Sequence, residues 1–331
     1  MPAMANTPLV EEETASRLIK YKVDFGIDGD PACHVAVEIF WPCGSMLPVV
    51  LFCLPGGAMN RRFYDLADKD ARFSFAKQMA ARGFVCVIVD LPGVGDSDRP
   101  RDGYELTPAR VTDILAQTHE RVCADISAGK IDDDLPPLPQ HQSIGIGHSF
   151  GAMFTVLQQR HSRPHTAIAL LGFATHGLPE YLSADALALA TDTRAVRAQL
   201  VPLAKKMFRE SYPEMGSSAG SELYGGANAD RDAVQALKAA RDRLLPVPAF
   251  MSILPGNVAP EAADIDVPVF VALGEADFVK PPDNANAGFG RSPAVDLLML
   301  PDTGHSFFLF ESRAFLFDRL AQWARGVADI K

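Results

Sequence analysis

Two kinds of apolar spacing alternate along the chain. Residues 17–25 and 33–41 alternate apolar with polar positions, the two-residue period of an antiparallel hairpin. The runs 49–54, 84–90, 143–147, 166–171, 267–273 and 296–300 are short, nearly continuous in apolar character and bounded by Gly, Pro or Asp. Parallel strands buried on both faces have that pattern. Helical periodicity fills the gaps between them. Thr107 stands where it caps a helix with Pro108 at its first position, and Val111, Ile114, Leu115 and Val122 recur on one face. Ala152, Met153, Val156 and Leu157 form a second stripe, and Leu316, Leu320, Trp323 and Val327 a third near the C-terminus. The alternation predicts an α/β fold, a mostly parallel central sheet with helices on both faces.

The interval 173–265 breaks this rhythm. It is rich in Ala and Leu, helical in spacing, and punctuated by Pro213, Gly216, Gly225, Gly226, Pro246, Pro248 and Pro255. It reads as an inserted helical cap, with residues 1–172 and 266–331 forming the core domain. An insertion at that point overhangs the C-terminal edge of the sheet, where open α/β folds place their sites. Its Tyr181, Leu182, Leu187, Leu189, Met207, Phe208, Leu223, Tyr224, Phe250, Met251 and Leu254 are candidates for an apolar lining above such a site.

Composition narrows the partners. A chain of 331 residues at 48% hydrophobic content can bury a full α/β core. Its formal charge of -10 and the absence of clustered Lys and Arg argue against nucleic-acid and anionic-membrane partners, so a neutral or modestly polar small molecule is expected. The five cysteines, Cys33, Cys43, Cys53, Cys86 and Cys123, show no disulfide framework or zinc-like spacing. The N-terminal stretch lacks a basic head followed by an apolar run, and no stretch of about 18 apolar residues occurs. A soluble, cytoplasmic protein is the expectation.

The chemistry concentrates in three separated segments. Gly147, His148, Ser149, Phe150 and Gly151 match G-x-S-x-G between an apolar strand and an amphipathic helix, the context in which the motif presents a serine on a sharp turn. The turn aims the first helical amides at the same space, so the Phe150 N–H is a candidate oxyanion donor. A serine needs a histidine base and an acid to orient it. His305 follows the last predicted strand and serves as the base. Asp277, after the penultimate strand, falls where a carboxylate reaches the distal nitrogen of His305 and is preferred over Glu275 as the acid; residues 172–176, at the main alternative location, carry no carboxylate. Gly57 or Ala58, in the glycine-rich loop after the strand at 49–54, is the second oxyanion donor. His148 is expected to pack beside the nucleophile. His161 and His165 are four residues apart, but Pro164 breaks a shared helical face, and no zinc site is read there.

In their order, the segments LPGGAMN, DLPGVGDSDRP, GIGHSFGAMF and the pair LGEADFVKPP and LPDTGHSFF resemble the α/β-hydrolase superfamily. The likeness runs over about residues 45–325 apart from the cap. It implies the α/β-hydrolase fold with an inserted cap, in a serine esterase or lactonase-like branch. It also implies that residues 90–98 form a structural loop without a direct catalytic role. Pro55 stands where many members have His, and Ser149 stands where the dehalogenase and epoxide-hydrolase branches have Asp. Serine points to acyl chemistry.

The expected activity is hydrolysis of a carboxylic ester or lactone of a hydrophobic small molecule through an acyl-enzyme, with no metal and no cofactor. Two other readings fit the same motifs: a C–C bond hydrolase of a diketone-type metabolite, and a non-enzymatic ligand receptor on this fold.

Overall fold

A computed structural model of the chain describes residues 13–27, 33–66, 70–214, 228–280 and 288–329. Eight strands form one sheet: β1 (Thr14–Val23), β2 (Cys33–Pro42), β3 (Val49–Leu54), β4 (Val85–Val89), β5 (Gln142–His148), β6 (Ala167–Leu171), β7 (Val269–Gly274) and β8 (Val295–Leu300). Their order across the sheet is β1-β2-β4-β3-β5-β6-β7-β8. The opening hairpin is antiparallel, with Leu18 opposite Glu38, and β2 joins β4 antiparallel; all later pairings are parallel. The apolar pattern therefore located every strand.

β3, β4, β6 and β7 are buried along their whole length, because helices cover both faces. β8 differs from the expected doubly buried strand. Among the described residues it pairs only with β7 and lies at the sheet edge, and Asp296 and Leu297 are exposed.

The core helices are α1 (Phe75–Ala80), α2 (Pro108–Ala128) and α3 (Phe150–Ser162). Thr107 caps α2 by accepting from the Arg110 N–H, Pro108 opens it, and Gly129 at φ 63° closes it. Between β6 and β7 the described residues add no strand to the sheet and form the helices α4 (Ala184–Leu189), α5 (Thr193–Arg197), α6 (Leu200–Phe208), α7 (Arg231–Ala240), α8 (Pro246–Ile253) and α9 (Ala259–Ala263). Gly216, Leu223, Tyr224, Gly225 and Gly226 of that interval lie outside the described residues, as do Pro281 and Pro282. The last helix, α10 (Arg313–Val327), buries Leu316, Phe317, Leu320, Ala321 and Ala324 on one stripe, with Trp323 and Val327 at its margin. No helix among the described residues is long and apolar enough to cross a membrane.

A polar chain runs through this core under α2 and α3. His119 Nε2 lies 2.8 Å from Ser143 Oγ, Ser143 Oγ 2.9 Å from His165 Nδ1, and His165 Nε2 3.2 Å from Gln158 Oε1. The Gln158 amide N–H donates to the Leu115 carbonyl, which turns its oxygen toward His165. His165 must therefore donate through Nε2 and accept at Nδ1 from the Ser143 hydroxyl, which in turn accepts from His119 Nε2–H. Burial, with His141 nearby, pushes His119 down to about 4, and burial beside His119 holds His165 well below the ordinary imidazole range.

Both rings stay neutral in the folded protein, whereas in the unfolded chain they protonate near an ordinary pKa of about 6.5. Acidification from about pH 6.5 thus favours the unfolded state, until His119 itself titrates at about 4. These two histidines are predicted to leave stability unchanged above pH 7. Below about pH 6.5 each is predicted to remove up to about 1.4 kcal/mol per pH unit. Urea unfolding at pH 5.5 and 4.5 checks this: His119→Gln should lose less stability over that step than wild type, and equal losses contradict it.

Candidate active site

Ser149 stands between the last residue of β5 and the first of α3, at φ 51° and ψ -115°. A non-glycine residue pays for a positive φ in strain, and it persists only where the surroundings fix it. Three features do so here. The Ser149 N–H donates to the Leu171 carbonyl at the end of β6, at 2.7 Å. A methyl on Gly147 would overlap Ala152, and one on Gly151 would overlap the carbonyl oxygens of Leu54 and Pro55. The strand, the turn and the helix close on one another because those two positions lack side chains.

The loops after β7 and β8 are zipped together. The Glu275 N–H donates to the Leu300 carbonyl at 2.9 Å, and the Ala276 N–H to the Thr303 carbonyl at 3.0 Å. Thr303 is held in turn by hydrogen bonds to Pro301 O and the Ser312 hydroxyl. This arrangement brings Asp277 and His305 together with both side chains fully buried. His305 Nδ1–H donates to Asp277 Oδ1 at 2.9 Å, and the same oxygen accepts from the Val279 N–H at 2.9 Å. Glu275, the other carboxylate weighed from the sequence, is exposed.

The remaining atoms of the pair are left open. Among the described residues, His305 Nε2 and Asp277 Oδ2 are buried without a hydrogen-bond partner, so the Ser149 hydroxyl is not hydrogen-bonded to the imidazole in this conformation. Nucleophile–base bonds of this kind often tighten only when substrate binds. The Phe278 ring lies 4.1 Å from the His305 ring, centroid to centroid. Gly172, directly after the Leu171 that holds Ser149, faces the imidazole: a methyl there would sit 3.1 Å from Cε1 and Nδ1. One short segment at the end of β6 thus touches both residues.

The glycine-rich loop after β3 lies on the other side of β5. The Met59 N–H closes a turn on the Gly56 carbonyl, with Ala58 at φ 57°. Gly57 abuts Phe150: a methyl on it would lie 3.5 Å from Phe150 Cβ and 3.1 Å from Leu244 Cδ1. Among the described residues, the N–H groups of Gly57, Ala58 and Phe150 donate to no protein acceptor.

The loop is fixed by contacts that sequence reasoning did not anticipate. The Asn60 N–H donates to the Ala240 carbonyl and the Asp242 N–H to the Ala58 carbonyl, both at 2.8 Å, so the end of α7 pairs with the loop. The Asp242 carboxylate also accepts from the Gly95 N–H. Beneath lies Asp90, fully buried, which accepts from the Arg61 N–H and guanidinium at 2.6 Å each and from the Asp96 N–H at 2.8 Å. A carboxylate ending an otherwise apolar strand was the available signal for Asp90; nothing local marks Ala240, Asp242 or Leu244.

The proposed cap lining is distributed more widely than expected. Tyr181, Leu182, Met207 and Phe250 line a recess of about 270 Å³ on the insertion. Met251 helps line a cleft of about 740 Å³ between α2, α3 and the insertion. Neither has Ser149 or His305 in its walls. The larger cleft carries Arg160 and Arg197, each already paired with Asp264 or Glu261. His161 is exposed and pairs with Asp113, whereas His165 belongs to the buried chain under α2.

Residues 50–319 match the sequence model of a family described as the alpha/beta hydrolase family. No curated protein matches the chain. Among solved structures, the monoacylglycerol lipase of Paleococcus ferrophilus is similar at a TM-score of 0.61 and 16% identity, over 90% of this chain and 100% of that one. The N-acyl homoserine lactonase AidH is similar at 0.59 and 14% identity, over 96% and 99%. A thermophilic esterase from Thermogutta terrifontis is similar at 0.56 and 16% identity, over 94% and 99%. At these identities the likeness concerns the fold.

Gly172 offers a direct test of the packing around the imidazole. It adopts φ 62°, so Gly172→Ala is expected to lower stability by about 1–2 kcal/mol from backbone strain alone. It should also displace the low-field proton resonance of the His305 Nδ1–H. A wild-type denaturation midpoint with an unmoved resonance would contradict the geometry.

Proposed function

The chain belongs to the alpha/beta hydrolase family, and from that premise we propose that it is a serine hydrolase cleaving a carboxylic ester or lactone of a hydrophobic small molecule. One observation carries the reading. A buried imidazole is oriented through Nδ1 by a buried carboxylate and keeps Nε2 unpaired, at the sheet edge where a strained turn holds a serine.

In this reading Ser149 Oγ attacks the carbonyl carbon while its proton passes to His305 Nε2. Asp277 keeps the imidazole in the Nδ1–H tautomer and stabilises the imidazolium that forms. The negative charge that develops on the carbonyl oxygen is met by the Phe150 N–H and an amide of Gly57 or Ala58. His305 then gives its proton to the leaving oxygen, the acyl-enzyme remains, and a water deprotonated by the same nitrogen releases the acid. The helical insertion at 173–265 acts as the cap, and its Leu244, against Gly57, brings an apolar side chain to the oxyanion loop. Phe278, whose ring lies against His305, adds aromatic surface beside the imidazole, which suits a hydrophobic acyl or alcohol part. A lipase, an esterase and a lactonase among the similar folds are consistent with ester and lactone bonds as the target class.

Turnover of a panel of p-nitrophenyl esters and aliphatic lactones tests the proposal. Ser149→Ala and His305→Ala are expected to lower kcat by about 10^6-fold, and Asp277→Asn by about 10^4-fold, leaving a small residual rate. Full activity in any of the three sinks its assigned role. Products from a diketone-type substrate with no ester turnover would support C–C cleavage instead, and labelling by a fluorophosphonate without turnover of any substrate would support a receptor.

A further inference from the structure

We propose that His148 is a positioning residue that sets the separation of Ser149 and His305, an inference that rests on the hydrolase reading above. Ser149 follows β5 and His305 follows β8, and β6 and β7 lie between those strands. No strand pairing connects the two directly. The His148 side chain does: its Nε2–H donates to the main-chain carbonyl of His305 at 2.9 Å, across that gap. A carbonyl oxygen only accepts, so the proton must reside on Nε2 and Nδ1 carries a lone pair. Burial, with His305 beside it, pushes His148 down to about 3, so this tautomer is neutral at any working pH.

The ring has little freedom to move. Phe63 stacks on it at 4.4 Å, Phe307 meets it edge-on at 5.9 Å, and the His305 ring lies 4.8 Å away. On its far side a methyl on Gly56 would come within 2.7 Å of Nδ1, so the ring also bears on the loop of the oxyanion donors. That Nδ1 is buried and has no hydrogen-bond partner. An unpaired buried acceptor is a cost that a phenyl ring in the same stack would not carry. The group that a phenyl ring lacks is the donor at Nε2. Asp277 fixes the direction of the His305 ring, and His148 fixes the main chain from which that ring projects. A misplacement of about 1 Å between reacting groups is enough to cost on the order of 100-fold in rate.

The test compares His148→Phe, which keeps the aromatic packing and removes the donor, with His148→Gln, whose amide N–H stands near the place of Nε2. Thermal melts establish folding, and turnover of p-nitrophenyl butyrate and the rate of fluorophosphonate labelling are measured. His148→Phe is expected to melt near the wild-type temperature, because loss of the unpaired Nδ1 offsets the orphaned His305 carbonyl, with kcat and labelling rate reduced about 10- to 100-fold and KM within about twofold. His148→Gln should recover most of kcat. A folded His148→Phe with wild-type kcat overturns the inference, as does a folded His148→Gln no faster than His148→Phe. His148→Leu supplies the donorless comparison if His148→Phe does not fold. Failure of both to fold assigns His148 to core stability instead and also overturns it. Ser149→Ala run alongside separates the two levels: residual full turnover there defeats the hydrolase reading itself, whereas a dead Ser149→Ala beside a fully active His148→Phe defeats only the positioning role.

Discussion

A carboxylate and an imidazole removed from water constrain everything around them. Asp277 and His305 are fully buried, and each is held by the other through the 2.9 Å bond between Oδ1 and Nδ1. An unpaired carboxylate there would carry a desolvation cost of several kcal/mol, so the two loops that bring the pair together have to be fixed in register. The backbone bonds between 275–276 and 300–303 do that. Gly172 leaves room for the ring, and a side chain at that position would press on both partners. The pair is therefore a consequence of the parallel β7–β8 register as much as of its own chemistry.

The sheet order explains why the candidate site lies at the C-terminal ends of these strands. The chain moves from β3 outward to β4, then crosses back to β5 on the opposite side of β3. The crevice between β3 and β5 is the point of reversal where open α/β sheets leave space for ligands. The glycine-rich loop after β3 and the strained turn after β5 face each other there, and β6 supplies the carbonyl that holds Ser149. Ala240 and Asp242 of the insertion grip the loop from above, and Asp90 with Arg61 supports it from below. The free amides of Gly57, Ala58 and Phe150 belong to a backbone fixed from three directions.

How much of this was legible in the chain depended on the range of the interaction. Strands buried on both faces leave a local mark in the residues themselves, so 49–54 was placed to the residue and the others to within a few. The same apolar pattern does not distinguish an edge from an interior strand, and β8 reads as covered because its exposure depends on the missing neighbour. The meeting of Asp277 with His305 followed from two loops at the ends of adjacent strands, whereas the exposure of Glu275 beside them leaves no mark in the local sequence. The grip of Asp242 on Ala58 and Gly95, and of His148 on the His305 main chain, joins residues far apart by groups with no periodic signature. Those links were invisible to any reading of local pattern.

The central claim, that the side chain of Ser149 is a nucleophile activated by His305 and faced by two backbone donors, is tested most directly by a crystal structure of the protein after reaction with a fluorophosphonate. The expected structure has phosphorus bonded to Ser149 Oγ, its oxygen within hydrogen-bond reach of the Phe150 N–H and of the Gly57 or Ala58 N–H, and His305 Nε2 within about 3.2 Å of the substituted hydroxyl. Absence of an adduct at Ser149, or an adduct whose oxygen turns away from both amides, would contradict it.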